Sequence, residues 1–437
     1  MTVSIHTLGC KLNQTESETL AIAFRSHGYE IVPEDQNPDI FVVNTCTVTS
    51  MAEQKARGFI RHAAKSAICV LVCGCYARLD GKKIEQLSDN VFVIDIKDWS
   101  TVFSEIAERF HLQPSTLPSN PSTLDSVHHS RAFLKIQDGC DRLCSYCRVR
   151  LARGRSVSTS AEEALVRLRA FENAGYTEAV LTGVNLNLYR DRDEDLAGLL
   201  RSLLKGTEKI RLRLSSLEPE AVTMDLAEAL AHRRVRPHFH LSVQSGSDSV
   251  LRCMRRPYTA ALVHEKAALL RSIKDDPFLA CDIIAGFPGE TQADFDHTYE
   301  LCVRVGFAWI HAFPFSPRPG TEAFDIPCRV NDGEVARRIS HLTKLARTGR
   351  RVYVARCLER GGKMEAIVER SRDSFPKDCV AAVSENYLKL LVHLPRGETY
   401  VPGSIVSVRL TALSASPFDA YAELVSVSDT DTNKDAR

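Results

Sequence analysis

Apolar residues follow two rhythms along the chain. Over residues 3–96 the short apolar runs "VSIHTLGC", "IFVVNTC", "ICVLVCGC" and "NVFVIDI" alternate with the amphipathic stretches "QTESETLAIAFRSHGY" and "SMAEQKARGFIRHAAKS". The runs read as buried strands and the stretches as helices between them. Such alternation predicts a doubly wound parallel sheet for residues 1–111. Residues 112–130, "LQPSTLPSNPSTLDSVHHS", have no apolar period and read as a linker. Alternation resumes over residues 131–355 with "AFLKIQD", "EAVLTG", "IRLRLSS", "HFHLSVQ", "FLACDIIAG" and "WIHAFPF". Six strand-helix units are too few for a closed eight-fold barrel, so an open, partial (β/α)6 barrel is expected. Beyond the basic helix "GEVARRISHLTKLARTGRRVYVARCLER", five strand-like runs over residues 356–428 predict a small closed all-β barrel of the type used for oligonucleotides. The polar tail 429–437 is expected to be disordered. The fold class is α/β, with the all-β barrel at its carboxyl end.

Composition narrows this picture. At 437 residues the chain exceeds one core, and 44% apolar with 25% charged residues is ordinary soluble composition. No apolar run reaches membrane-spanning length, and "MTVSIHTLGC" lacks the layout of a signal peptide, so a cytoplasmic protein without a membrane partner is expected. With a net charge of +1, any nucleic acid must be held by local basic patches. The 14 cysteines of such a chain argue against a disulfide framework and for metal or redox chemistry.

Three cysteines, Cys140, Cys144 and Cys147, stand in "GCDRLCSYC", in the loop at the carboxyl end of the second domain's first strand. That end carries the active site in parallel barrels. A 4Fe-4S cluster that only carries electrons takes four cysteines; three leave one iron open. S-adenosylmethionine has the amine and carboxylate to chelate that iron and is a cofactor of radical chemistry. A zinc knuckle completed by His128 or His129 is the alternative, although zinc pairs are usually spaced C-x2-C twice over.

A second trio is scattered. Cys10, Cys46 and Cys75 each end a predicted parallel strand, in "TLGC", "VNTC" and "VCGC". Carboxyl ends of parallel strands share one sheet edge, and the helices that follow favour thiolates and an anionic cluster. The alternative is three buried cysteines acting as small hydrophobes. Cys69 and Cys73 share the strand phase of Cys75 and read as core, with Cys73 the one spare ligand. The remaining six cysteines are isolated and read as structural. Two open clusters are therefore expected, the second able to hold an exogenous sulfide or methylsulfide.

The motifs "TLGCKLNQTES", "VVNTCTVTSMAEQKAR", "CGCYAR", "QDGCDRLCSYC", "ARGR", "LTGVNL", "RLSSLEP", "HLSVQSGSDSVLRCMRRPY", "DIIAGFPGET" and "FPFSPRPGT" span nearly the whole chain. Together they resemble the radical S-adenosylmethionine methylthiotransferases, and the last domain resembles the RNA-binding TRAM barrel. "NTCTVT" resembles the branch that modifies N6-threonylcarbamoyladenosine beside the tRNA anticodon. Arg148, Arg150 and Leu151 depart from an apolar-Pro-Tyr stretch common in the family, as Asn187 does from a glycine and Phe315 from a tyrosine.

The resemblance implies a 5′-deoxyadenosyl radical and delivery of CH3-S to C2 of the adenine, because no side-chain acid or base can remove that hydrogen. It implies two 4Fe-4S clusters, S-adenosylmethionine, an anticodon stem-loop substrate, a low-potential electron donor and a sulfur donor. It also implies cofactor contacts at Tyr146, Gly183, Arg213, Glu218, Gln244, Ile284 and Gly286. Ile284 could equally be a core strand residue, and Arg213 the partner of a neighbouring acid. Arg148, Arg150, Arg153 and Arg155 flank the cluster loop and are candidates for RNA phosphate, with "HRRVRPH" a second basic run. The same chemistry on isopentenyladenosine tRNA or a ribosomal protein stays open at this point. So does a non-catalytic iron-sulfur or zinc protein that binds RNA or senses redox state.

Overall fold

The computed structural model describes residues 1–95, 102–103, 130–370, 376, 378–395, 397–414 and 417–425. The expected linker (except Ser130), His128, His129 and the tail lie outside them. Five parallel strands, β1 (Thr2–Thr7), β2 (Glu30–Ile31), β3 (Ile40–Thr45), β4 (Cys69–Gly74) and β5 (Val91–Val93), form the first sheet in the order β2-β1-β3-β4-β5. Helices α1 (Lys11–Ser26), α2 (Ser50–Ala63) and α3 (Cys75–Glu85) connect them. Ile40, Val42 and Leu71 pack with Leu20 and Phe24 of α1 on one face. Phe41, Val43, Val70 and Val72 pack with Ile60 of α2 and Ile84 of α3 on the other. Coverage of both faces explains why β3 and β4 are apolar almost throughout, and each buried aliphatic residue contributes about 1.5–3 kcal/mol.

The second domain opens on β6 (Ala132–Lys135), then a short antiparallel ribbon of β7 (Gln137–Asp138) and β8 (Val157–Ser158). Its parallel strands continue as β9 (Glu178–Thr182), β10 (Arg211–Leu214), β11 (Ser216–Leu217), β12 (His238–Gln244), β13 (Phe278–Ala285) and β14 (Trp309–Pro314). They run in sequence as β6-β9-β10 and β11-β12-β13-β14, and the chain crosses from one sheet to the other at Ser215. Six strand positions make an open arc, the partial barrel expected. Alternate residues turn inward, as the period of two requires: His238, His240, Ser242 and Gln244 from β12, Asp282 and Ile284 from β13, His311 and Phe313 from β14.

The last domain is a closed five-stranded barrel of β15 (Met364–Val368), β16 (Cys379–Ser384), β17 (Lys389–His393), β18 (Ile405–Leu413) and β19 (Ala420–Leu424). It is not a loose appendage. Helix Asp332–Arg360 buries Leu342 and Ala346 in the second domain and Tyr353 and Val354 against the barrel, so the boundary expected at 355/356 falls inside it. Buried Glu178 accepts from Arg213 at 2.6 Å and Arg236 at 2.7 Å, and Arg236 also reaches Glu365 of β15 at 2.7 Å. Burial alone would raise the Glu178 carboxyl; Arg213, Arg236 and Arg131 instead pull it down to about 2. Two arginines of "HRRVRPH" are thereby explained as structural. Arg236 joins the domains, and buried Arg234 donates to the Thr207 and Ile210 carbonyls. Among the described residues no helix is long and apolar enough to cross a membrane.

Candidate active site

The order β2-β1-β3-β4-β5 changes direction between β1 and β3, and ligands bind such sheets outside the strand ends at that point. Cys10 follows β1, Cys46 follows β3 and Cys75 opens α3 directly after β4. The loops are interlocked from below: Asn13 Nδ2 donates to Asn44 Oδ1 at 2.8 Å, and Asn44 Nδ2 donates back to the Asn13 carbonyl at 2.9 Å. All three cysteines line a cavity of about 1090 Å³ that Cys147 of the other trio and its neighbour Tyr146 also line. The first trio and Cys147 of the second therefore face one space.

The other trio occupies the loop between β7 and a short helix, α4 (Val149–Arg153). The Cys140 amide donates to the Gly154 carbonyl and the Cys147 amide to the Cys144 carbonyl, each at 3.1 Å. Arg256 Nη1 lies 3.4 Å from Cys144 Sγ and 2.6 Å from Glu218 Oε1, so Glu218 positions a cation beside the thiol. Gly139 holds φ +67°, and a Cβ there would overlap the Arg155 carbonyl, which is backbone and cannot yield. Gly139→Ala is expected to displace the loop and lower iron bound at this trio by about half or more, read by iron analysis after reconstitution.

Neither trio brings all three sulfurs within 4.8 Å of one another; among the described residues the group that meets that spacing is Asp378, Cys379 and His393. A zinc ion 2.3 Å from each sulfur would hold them about 3.8 Å apart. A cubane, with a separate iron beneath each thiolate, does not need the sulfurs to approach that closely. Burial pushes the Cys75 thiol up to about 11, against the pull of Arg153, and Cys147 up to about 12. Burial likewise raises Cys46 and Cys140. Iron must therefore displace protons as it binds.

Gly183, Gln244, Ile284 and Tyr146 line the cavity, Gln244 with a left-handed φ of +66°. Arg213, Glu218 and Gly286 stand behind its wall. Arg213 is 1% exposed and held by Glu178. Glu218 serves Arg256, and the Gly286 amide donates to Glu290 at 2.6 Å while Val335 fills the space a side chain would need. Cys73, the possible spare ligand, is fully buried with Cys69 in the core beneath α1 and does not line the cavity.

The four arginines divide. Arg153 is buried, donating to Glu16 at 2.7 Å, Asp138 at 3.1 Å and Cys75 Sγ at 3.0 Å, so it binds the two domains together and does not face RNA as expected. Arg148 lines the cavity, paired with Glu53 and Asp80 at 3.4 Å. Arg150 donates to the Asp141 carbonyl, and Arg155 is largely exposed. Sequence reasoning singled out neither Arg256 nor Asn185, whose Nδ2 lies 4.0 Å from Cys140 Sγ. It also passed over Arg318, which donates to Glu53 and, at 3.0 Å, to Thr47 beside Cys46. Their motifs contained them, but no local spacing marks a side chain whose partner is remote.

Residues 2–95 match the family model described as "Uncharacterized protein family UPF0004", and residues 134–302 match that of the radical SAM superfamily. The chain is 37% identical to the threonylcarbamoyladenosine tRNA methylthiotransferase MtaB of Treponema pallidum, across 93% of this chain and 98% of that one. It is 38% identical to the protein of the same name from Thermotoga maritima, across 79% and 82%. Among solved structures, the radical S-adenosylmethionine methyltransferase TsrM of Kitasatospora setae superposes with a TM-score of 0.57 at 14% identity, over 74% of this chain and 77% of that one, a likeness of fold. With one cysteine trio and Cys147 of the other lining a single cavity, and kinship along nearly its whole length, the chain belongs to the threonylcarbamoyladenosine tRNA methylthiotransferases, radical S-adenosylmethionine enzymes that use 4Fe-4S clusters.

Proposed function

We infer that this enzyme adds a methylthio group to C2 of N6-threonylcarbamoyladenosine next to the anticodon of tRNA, in the cytoplasm. The observation that carries the reading is the single cavity lined by Cys10, Cys46 and Cys75 on one side and Cys147 on the other. Cys140, Cys144 and Cys147 would hold the cluster that binds S-adenosylmethionine, and Cys10, Cys46 and Cys75 the auxiliary one. When bound, these groups supply a 5′-deoxyadenosyl radical and a sulfur atom. The chain's own residues bind, orient and exclude water. Arg256 offsets thiolate charge at Cys144 and Arg153 does so at Cys75. Phe133, Phe313 and Phe315 present apolar wall to the reacting space. Half-buried Arg150 and exposed Arg155 are the two of the four arginines left to meet RNA phosphate. A low-potential reductant and a sulfur donor complete the cycle.

The test is mass spectrometry of tRNA nucleosides from cells with and without the gene. Loss of 2-methylthio-N6-threonylcarbamoyladenosine, with its unmodified precursor accumulating, is the expected result. An unchanged nucleoside profile would sink the assignment.

A further inference from the structure

Lys11 follows Cys10 at the start of α1 and lines the floor of the cavity. Among the described residues no carboxylate forms an ion pair with it; its ammonium lies 5.7 Å from the centre of the Tyr387 ring. Arg131 and Arg213 crowd the same ring at 5.7 and 5.1 Å. Those two guanidiniums have counter-charges, Glu369 at 2.8 Å from Arg131 and Glu178 at 2.6 Å from Arg213. Lys11 is the cation left over.

Two further features point to a ligand. His238 lines this part of the cavity at 5% exposure, and its buried Nδ1 has no hydrogen-bond partner. Buried polar atoms in folded chains are nearly always satisfied, and this unpaired one belongs to a ring that lines the cavity. Tyr387, 4.4 Å from the His238 ring, comes from the turn between β16 and β17 and holds φ +70°, a left-handed backbone rare for a bulky residue. The barrel thus pushes a strained aromatic residue into the floor, where the unmatched charge sits.

We propose that Lys11, with Arg131 and His238 beside it, is the receptor for the carboxylate and hydroxyl of the amino-acid substituent on the substrate base. This rests on the reading given under Proposed function and extends it to the choice of substrate. The cavity accepts a purine bearing an anionic N6 group and disfavours one bearing a neutral alkyl group, which would leave the ammonium uncompensated.

The experiment uses reconstituted holoenzyme and two anticodon stem-loops identical except at the reacting base, one carrying the threonylcarbamoyl group and one an isopentenyl group. Both kcat/KM and stem-loop affinity by fluorescence anisotropy are measured for each. In Lys11→Gln the preference for the charged RNA is expected to fall by about 100-fold, because a buried charge loses its partner. Lys11→Arg keeps most of the preference. Both RNAs meet the same variant, so lost folding or cluster loading cancels from the ratio. A third RNA, with the threonyl carboxylate blocked as a methyl ester, should lose a similar factor on the unaltered enzyme, which needs no variant at all. An unchanged ratio overturns the proposal. Equal weakening of both RNAs would assign Lys11 to phosphate, and a raised S-adenosylmethionine requirement at constant ratio would assign it to the cofactor's carboxylate; either outcome also overturns it. If the unaltered enzyme modifies neither RNA, the reading under Proposed function fails, while the affinity ratio still decides the receptor.

Discussion

Replacing Cys147 with alanine is expected to drop cleavage of S-adenosylmethionine to 5′-deoxyadenosine below about one-thousandth of the parent rate. Loss of a partner outside the ligand shell already costs about 10–100-fold, and loss of a ligand costs more. Cys147 is also the member of its trio that lines the shared cavity. Cys75→Ala should show the opposite balance, with methylthio transfer falling far more than cleavage. Each variant should retain about half the parent's iron, because each trio loads its own cubane. Undiminished 5′-deoxyadenosine from the Cys147 variant would contradict the assignment of that trio, and equal losses of both products from the Cys75 variant would contradict the division of labour.

The second large effect concerns Arg153. Its guanidinium takes Glu16 through two bonds of 2.7 and 3.1 Å and Asp138 through a third, tying α1 of the first domain to β7 of the second. Arg153→Gln leaves Glu16 buried, with Lys135 Nζ at 3.7 Å as its remaining ion-pair partner. Breaking a buried pair costs about 3–5 kcal/mol, and Lys135 offsets part, so a loss of about 3 kcal/mol is expected. In calorimetry the first domain should then unfold as a separate, earlier transition. Arg153→Lys should not restore the single transition, because an ammonium cannot reproduce the two-pronged bond. A melting profile unchanged in Arg153→Gln would show that the joint is held by other contacts.

The contrast between the cysteines and the arginines shows what the amino-acid order makes legible. Each auxiliary cysteine sits directly after an apolar run, and strand-end geometry brings such positions together whatever their separation, so Cys10, Cys46 and Cys75 could be grouped before any coordinates. Period two likewise placed Cys73 with Cys69, and both lie in one core. The fates of Arg148 and Arg153 could not be read this way. Arg153 finds Glu16 across 137 positions and Arg148 finds Glu53 across 95. No local period encodes such partners. "ARGR" and "CRVRLARG" therefore look like a surface patch, although half of that charge is consumed in fastening domains. The surroundings of Gly286 are hidden for a similar reason: the side chain that fills its open face belongs to Val335, on a helix 49 positions further along.

The origin of Tyr387 has a consequence for truncation. The barrel resembles a module for gripping RNA, yet it also furnishes part of the floor of the reaction chamber, through Tyr387, Glu369 and Arg370. An enzyme trimmed back to its two α/β domains would thus be more than a poorer docking partner with sound chemistry. Its chamber would leak: solvent would reach the radical's path from below, Lys11 would lose its aromatic neighbour, and hydrogen atoms would be taken from the wrong donors.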